Sequence, residues 1–355
     1  IATGMNVAGK VTITATGDIN ISPDVTFSDL EIKANELTYK NLTVNGTADI
    51  TVINDFTAKD VTINNLNNLS ANNITIDNLN VTENASIKAT GKITANTIDV
   101  SGNLSKLETN NAEIGSLTVT KDANIKATGK ITADTIAVTG NLSKLETNNA
   151  EIGSLTVGND ANIKATGKIT ADTIAVTGNL AKLETNNAKI GSLTVVKDAN
   201  IKATGKITAD TIEVSGNLKN LETKDADIKN LTVDKVATIV SNGDVVLGKT
   251  TIGNDFNASA KNLTFKDVTS VTGETSLKAT EKLTFVPSDV TFNNNLIIEK
   301  GTGIVEVNHL TVNGDANINS NGKTTINTAN ITGNLKTDTN ELVINNKLTD
   351  DKIAN

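Results

Sequence analysis

The stretch "GNLSKLETNNAEIGSLTV" occupies residues 102–119 and returns unchanged at residues 140–157. Variants of this stretch begin at Gly178 and Gly216. A second phrase, "IKATGKITA", recurs with a constant 38-residue step, beginning at Ile87, Ile125, Ile163 and Ile201. Internal repetition at a fixed period is typical of solenoids, in which each repeat contacts only its neighbours. The sequence therefore predicts a repeat protein.

Each 38-residue unit consists of two 19-residue halves. When residues 134–152 are placed over residues 153–171, apolar side chains coincide in five pairs, and a sixth pair is offset by one place. Large and small side chains alternate in three of the pairs, as close packing between stacked layers requires. The five pairs are Ile136 with Leu155, Val138 with Val157, Leu142 with Ala161, Ala150 with Ile169 and Ile152 with Ala171, and the offset pair is Leu145 with Ile163.

The pattern within each half favours strands. Ile136 and Val138 are two residues apart, and β-branched residues dominate such segments. Gly-containing or Asn-rich breaks at residues 139–141 and 147–149 are typical of turns. The alternative is a helix through "LSKLETNNAEI", whose leucines are three residues apart, but paired Asn residues and the Gly that follows disfavour it. Three short strands and three corners in each 19-residue half predict one coil of a right-handed parallel β-helix.

We expect one elongated domain over residues 1–355. Near-identical repeats fill residues 77–233, while residues 1–76 and 234–355 form irregular coils such as the steps from Leu42 to Val61 and from Val61 to Leu79. Segments that begin at Asn262 and His309 keep the strand pattern. Coils stacked at the usual strand spacing of about 4.8 Å would give a rod of roughly 90 Å.

A longer-range repeat relates the two ends of the chain. "ATGDINISPDVTF" from Ala15 resembles "ATEKLTFVPSDVTF" from Ala279, and the two segments contain both prolines, Pro23 and Pro287. Proline suits strand edges and corners, where its missing N–H is not needed. We infer from this order that the chain is part of a longer repetitive array.

Composition excludes several classes of function. The chain has no Cys, one His, no Arg, 2% aromatic residues and a net charge of -8. Disulfides, thiolate zinc sites and His clusters are therefore excluded, and nucleic-acid binding is disfavoured. No apolar run approaches the ~18 residues of a membrane span. We expect no catalytic, cofactor-binding or metal-binding residue, and no enzymatic activity.

The 19-residue coils, their apolar pairs, their Gly-Asn corners and their near-identical copies resemble the shaft of filamentous haemagglutinin-like exoproteins. The resemblance covers residues 77–233 well. It implies a bacterial surface adhesin exported by two-partner secretion, with an outer-membrane secretion partner and a glycan or protein receptor on a host or cell surface. The secretion domain of that family carries Asn-Pro motifs, and this chain has none. Either that domain lies upstream or the resemblance is architectural.

Isolated residues offer weaker candidates for chemistry. His309 is better explained as a structural or exposed corner residue than as a catalytic one, and Glu306 with Asp315 as a chance pair of carboxylates. Polysaccharide-cleaving enzymes use β-helices, but the lack of Arg and the shortage of aromatic residues disfavour that function. The acidic corners at residues 158–160 and 224–227 offer oxygens to Ca²⁺, without the glycine-rich nonapeptide of calcium-binding β-rolls.

Three surface patterns remain. Thr12, Thr14 and Thr16 resemble an ice-binding row that does not persist through the central coils. The regular lysines Lys88, Lys126, Lys164 and Lys202 are best explained as solubilising residues. Asn-x-Ser/Thr glycosylation motifs, which an Asn- and Thr-rich chain produces readily, occur at Asn41, Asn73, Asn80, Asn84, Asn103, Asn141, Asn230, Asn257, Asn262 and Asn330.

Together these features predict an extracellular structural protein, the rigid β-helical shaft of a bacterial surface adhesin or filament. The alternative is a subunit that self-associates end to end into a surface filament or coat, and the third hypothesis is a carbohydrate-active enzyme.

Overall fold

A computed structural model describes residues 5–286 and 290–345, together with the backbone of residues 348–350. The chain divides into two compact units, unit 1 (Ile1–Gly178) and unit 2 (Asn179–Asn355). No helix forms in the described residues, so none there is long and apolar enough to cross a membrane. Pro287 lies outside the described residues, whereas Pro23 lies in a bend between two strands, as expected.

Unit 1 contains strands β1 Met5–Thr14, β2 Ile19–Ile21, β3 Val25–Ala34, β4 Leu37–Val52, β5 Asp55–Ala71, β6 Asn73–Val81, β7 Ala85–Ala89, β8 Lys92–Val100, β9 Leu104–Thr109, β10 Asn111–Val119, β11 Ala123–Ala127, β12 Lys130–Val138, β13 Leu142–Thr147, β14 Asn149–Val157, β15 Ala161–Ala165 and β16 Lys168–Val176. Within unit 1, from β5 to β14, each strand pairs in parallel with the strand two places further along the chain, as β10 pairs with β12. Each coil therefore stacks on the next.

Unit 2 contains strands β17 Leu180–Thr185, β18 Asn187–Val195, β19 Ala199–Ala203, β20 Lys206–Val214, β21 Leu218–Thr223, β22 Asp225–Val233, β23 Ala237–Ser241, β24 Asp244–Ile252, β25 Phe256–Phe265, β26 Thr269–Val271, β27 Thr275–Phe285, β28 Val290–Phe292, β29 Leu296–Ile298, β30 Ile304–Val312, β31 Ala316–Ile331, β32 Leu335–Ile344 and β33 Leu348–Asp350. The same parallel stacking continues here, for example between β20 and β22. The predicted all-β parallel β-helix of about 19-residue coils is confirmed in each unit.

The register confirms the predicted apolar pairs residue by residue. Leu142 pairs with Ala161, and Ala150 pairs with Ile169, so a large side chain lies against a small one on the next coil. The predicted one-place offset of Leu145 against Ile163 is a register shift within the β13–β15 ladder. These side chains are almost completely buried and form the aliphatic core of the coil.

The 38-residue period has a simple backbone origin. The short strand of one coil has five residues, as in β11, and that of the next has six, as in β13. The extra residue is absorbed at the following corner, which has two residues, Thr128 and Gly129, after β11 and one, Asn148, after β13. Two kinds of coil therefore alternate, and only every second coil is equivalent.

The predicted count of three strands per coil is one too high. In the near-identical repeats, each coil has a long strand of nine residues and a short one of five or six. In β12 the inward side chains are Ile131 and Ala133, then Ile136 and Val138, so two outward residues separate the pairs. The backbone turns at Asp134, which the pairing with β14 omits, and pairing resumes at the next residue. The first corner is therefore a bend within one strand, and the alternative helix does not form.

Coils toward the end of unit 2 are longer, as the irregular sequence there predicts. Phe265 pairs with Phe285, and Phe285 pairs with Val307, so both steps exceed the 19-residue step of the repeats. The wider core holds four phenylalanines, of which Phe265 and Phe285 stack with ring centroids 5.0 Å apart. Phe256 and Phe292 contact this pair edge-on.

Candidate functional site

His309 lies at a corner and is half-buried. Its Nδ1 lies 2.6 Å from Thr328 Oγ1, and that hydroxyl donates to the carbonyl oxygen of Asn308 at 3.1 Å. Since the hydroxyl proton is used by Asn308, His309 Nδ1 donates to Thr328. The pair joins two successive coils, as expected of a structural corner residue.

Glu306 and Asp315 are held by separate partners. Glu306 forms an ion pair with Lys282 at 2.8 Å and lines a shallow groove of about 290 Å³ in unit 2. Asp315 Oδ1 accepts the backbone N–H of Asn334 at 2.7 Å. Each carboxylate therefore bonds a residue of an adjacent coil.

The acidic corners considered for Ca²⁺ are also committed to neighbouring coils. Asp225 Oδ1 accepts the backbone N–H of Asp244 at 2.9 Å, and Asp227 lies 3.8 Å from the ammonium of Lys206. Asp160 belongs to the corner series described below. Among residues 5–286 and 290–345, no three or more His, Asp or Glu side chains are placed to hold a metal ion.

The surface patterns found in the sequence contain both side chains that form hydrogen bonds and side chains that are exposed. Thr12 and Thr14 are exposed on β1, while Thr16 lies in the bend that follows. Many glycosylation motifs have an occupied Asn, as in the bond from Asn41 Nδ2 to Asp24 Oδ1 at 2.7 Å. Asn80, Asn257 and Asn330 are exposed on outward strand positions, and Asn230 is also exposed but donates to the carbonyl oxygen of Asp210 at 3.0 Å.

The regular lysines belong to a series that we call the charge ladder. Along one face of unit 1, Lys88, Glu108, Lys126 and Glu146 are paired neighbours on successive coils, so charges of opposite sign alternate. The Lys144 ammonium bonds to Glu146 and lowers the pKa of that carboxyl, and Lys126 adds to the effect. In unit 2, Lys202 and Glu222 form the same kind of contact at 2.8 Å.

A second series, which we call the corner ladder, lies at the corner after each long strand. The Oδ1 of one ladder residue accepts the backbone N–H of the residue 19 positions later, as Asn103 does from Asp122 at 3.2 Å and Asp122 from Asn141 at 2.7 Å. From Asn103 onward Asn and Asp alternate within each unit, so carboxylates are two coils, or about 9.6 Å, apart. Its members are Asn84, Asn103, Asp122, Asn141 and Asp160 in unit 1, and Asn179, Asp198 and Asn217 in unit 2.

The chemistry of the acceptor sets the length of each bond. Where Asp accepts, the distance is 2.7 Å for Asp122 to Asn141 and 2.8 Å for Asp198 to Asn217. Where Asn141 accepts, the distance to the Asp160 nitrogen is 3.3 Å. Hydrogen bonds to ionised acceptors are shorter and stronger than those to neutral ones. Strong and weak contacts therefore alternate along the corner.

The residue 18 positions after each aspartate, on the next coil, is glycine for a steric reason. A Cβ atom at Gly140 would lie 2.5 Å from Asp122 Oδ1, and one at Gly178 would lie 2.4 Å from Asp160 Oδ1. The looser Asn corners tolerate a side chain at the same place, such as Lys121 after Asn103. The Asp-then-Gly alternation thus fixes the same 38-residue period as the strands.

Asp198 is the most strongly stabilised of these carboxylates. Hydrogen bonding from the Lys219 ammonium, followed by the backbone N–H of Asn217, lowers its pKa to about 2. The ammonium lies 2.8 Å away. This carboxylate stays ionised at any physiological pH and acts as a fixed acceptor between coils.

Sequence reasoning missed the corner ladder, although its signal was present. Asn and Asp exchange with a 19-residue step while Gly and Lys or Asn exchange one position before them. The "Gly-Asn" pattern by itself predicts only turns at these corners. The polar groups of the ladder form hydrogen bonds between adjacent coils.

Comparison with known proteins agrees with a repeat protein. Residues 233–299, from the end of β22 to just past β29, match a family described as repeats of unknown function (DUF5649). No curated protein and no solved structure matches the chain. The chain is therefore a β-solenoid repeat protein, part of which is similar to that repeat family.

Proposed function

We propose that this protein is an extracellular structural protein, the rigid shaft of a bacterial surface adhesin or filament. The observation that carries the proposal is the corner ladder, which ties each coil to the next at the same point through coil after coil. Together with continuous backbone pairing and an aliphatic core, it resists bending and stretching without any chemistry at the surface.

The proposed mechanism is mechanical. A shaft holds a binding region away from the cell, so its own faces need only stay hydrated and resist lateral aggregation. Outward Thr, Asn, Lys and Glu side chains supply hydration, and closed coils leave no unpaired strand edge along the sides of the described repeats. We propose no enzymatic activity. The resemblance to filamentous haemagglutinin-like exoproteins adds an outer-membrane secretion partner and a glycan or protein receptor as proposed partners.

An in-phase deletion tests the role as a spacer. Removing residues 102–139 joins Ser101 to Gly140 and takes out one 38-residue repeat, so the ladders stay in register. Bacteria that produce the parent protein with this deletion, or with two such deletions, should secrete it normally and bind receptor-bearing surfaces progressively less well. Unchanged binding at equal surface amounts would contradict a spacer role.

A second candidate function is end-to-end self-association. In β32, Leu342 and Ile344 pair with the core residues Thr324 and Ile326 but are 41% and 39% exposed. These core positions would be covered if another coil stacked on them. Electron microscopy of the purified chain tests this, since long unbranched filaments would support self-association and isolated particles would support the shaft.

A further inference from the structure

The corner ladder is interrupted in unit 2 at Val236, just past the near-identical repeats. The backbone N–H of Val236 donates to Asn217 Oδ1 at 3.4 Å, compared with 2.8 Å for Asn217 to Asp198 Oδ1. Valine has no side-chain oxygen, so it offers no acceptor to Asp255 on the next coil. The series resumes only where Asp255 Oδ1 accepts the N–H of Glu274 at 2.9 Å.

The charge ladder ends on the same coil. Glu222 pairs in register with Lys202 on one side and with Val240 on the other, where the alternation would place a lysine. Val240 is 44% exposed. Asn220 also stands where the equivalent strands have Lys106 and Lys144, two residues before each glutamate. Glu222 therefore keeps one of the cations that surround its counterparts.

A third contact between coils is lost nearby. Thr204 Oγ1 donates to Asn186 Oδ1 at 3.1 Å, a contact that recurs through the repeats. One 38-residue repeat later, Asn242 stands in place of Thr204 and Lys224 in place of Asn186, and these two residues do not form this hydrogen bond. A groove of about 360 Å³ opens at this point, lined by Lys202, Thr204, Glu222, Lys224, Val240 and Asn242.

The coil itself is folded. β23 pairs in parallel with β21 and with β25, and its inward residues Ala237 and Ile239 are buried. What is missing is the three contacts described above, while Asp225 Oδ1 still accepts the backbone N–H of Asp244 and Ser241 Oγ donates to the carbonyl oxygen of Lys224. In solenoids, stability is approximately a sum over repeats and their nearest-neighbour interfaces, so a coil with weaker interfaces opens at lower cost.

We propose that the coil of residues 234–252 is a built-in conformational joint, the position at which unit 2 opens first. It coincides with the start of the segment matched by the repeat family, at residue 233, and with the end of the near-identical repeats. The joint separates two stretches of coil and lets one open or strain without disturbing the ladders of the other.

Hydrogen exchange of the intact chain tests the joint against a matched coil. β19, residues Ala199–Ala203, occupies the position of β23 one double coil earlier. Amides of residues 237–241 should exchange at least about tenfold faster than those of residues 199–203 under conditions of local opening.

A restoring variant tests the cause. Val236→Asn with Val240→Lys returns the missing acceptor and the missing cation, and Asn254 fits above the new asparagine as Asn159 fits above Asn141. The double variant should slow exchange in β23 to within about threefold of β19. Val196→Asn, which makes an exposed corner valine polar outside either ladder, should change nothing. Equal exchange in wild-type β19 and β23, or fast exchange that the double variant leaves unchanged, would overturn the proposal.

Discussion

Asp122 Oδ1 accepts the backbone N–H of Asn141 at 2.7 Å and occupies the space where a Cβ atom of Gly140 would lie. One carboxylate thus bonds the next coil and dictates its glycine. Asn141 Oδ1 accepts the backbone N–H of Asp160 at the longer distance of 3.3 Å. The coil that contains Asp160 therefore has room for the side chain of Asn159. The relation recurs with the 38-residue period and ties the composition of the corner to its geometry.

Replacing this glycine should be costly. In Gly140→Ala the new Cβ would meet Asp122 Oδ1 at 2.5 Å and the backbone carbon of Lys121 at 2.6 Å. Overpacking of this kind destabilises by about 1–3 kcal/mol. Urea unfolding should show such a loss, whereas Asn159→Ala, at the same corner one coil later, should fall within about 0.5 kcal/mol of wild type. Equal effects would refute the steric argument.

Breaking the alternation of Asn and Asp in the corner ladder should also lower the free energy of unfolding. Asn141→Asp would place carboxylates on three successive coils about 4.8 Å apart and remove the amide donor to Asp122. We expect a loss of about 1–2 kcal/mol at neutral pH, partly recovered in about 1 M salt. Thr156→Asp adds the same charge between Ala137 and Ala175, so it should cost less and respond weakly to salt.

Asp198 predicts a pH dependence of definite sign. Its pKa of about 2 lies below the value of about 3.9 for an unfolded chain, so its ionised form stabilises the fold above that value. The stability difference between wild type and Asp198→Asn should be constant near neutral pH, shrink as the pH falls below 4 and vanish near 2. Urea titrations across this range measure it, and a difference that is independent of pH would contradict the assignment.

Whether a deletion preserves the 38-residue period should matter more for stability than how many residues it removes. Removing residues 102–139 keeps both kinds of coil in alternation, so the shortened chain should unfold at nearly the wild-type urea concentration. Removing residues 140–158, half as many, places Asn159 over Asp122 and Ile169 over Ile131. We expect the shorter deletion to lower the midpoint clearly more. Equal midpoints would show that the 19-residue coils are interchangeable.

Tyr39 reports the opening of unit 1 at alkaline pH. It is the one tyrosine of the chain, it is buried, and its hydroxyl has no hydrogen-bond partner among the described residues. Burial raises its pKa well above the ordinary value, so ionisation favours the unfolded chain and the stability of unit 1 falls as the pH rises above about 10. Tyrosinate absorbance should therefore appear together with loss of the β-sheet circular dichroism signal. Tyr39→Phe, which removes the unpaired group, should be neutral or stabilising.

The core of the coil was predictable because it is decided by apolar spacing. Leu142 against Ala161 and the offset of Leu145 against Ile163 both followed from aligning the halves, since side-chain volume sets how layers stack. Three corners per coil were also predicted, but apolar spacing did not show that the one at Asp134 is a bend within a single strand, where pairing resumes at the next residue.

The corner ladder escaped prediction for a different reason. Asn141 and Asp122 carry no apolar signal, and their roles depend on atoms 19 residues away in sequence that become adjacent only when coils stack. The same holds for Glu146, whose lysine neighbours come from three different coils. Asp225, from an acidic corner considered for Ca²⁺, bonds the next coil in the same manner at the corner after a short strand.

The most direct test of the proposed function is localisation on intact cells. Antibodies against the repeats of residues 77–233, used for immunogold electron microscopy of unpermeabilised bacteria that carry the parent gene, should label the cell exterior. Labelling that appears only after the envelope is permeabilised would contradict an extracellular shaft.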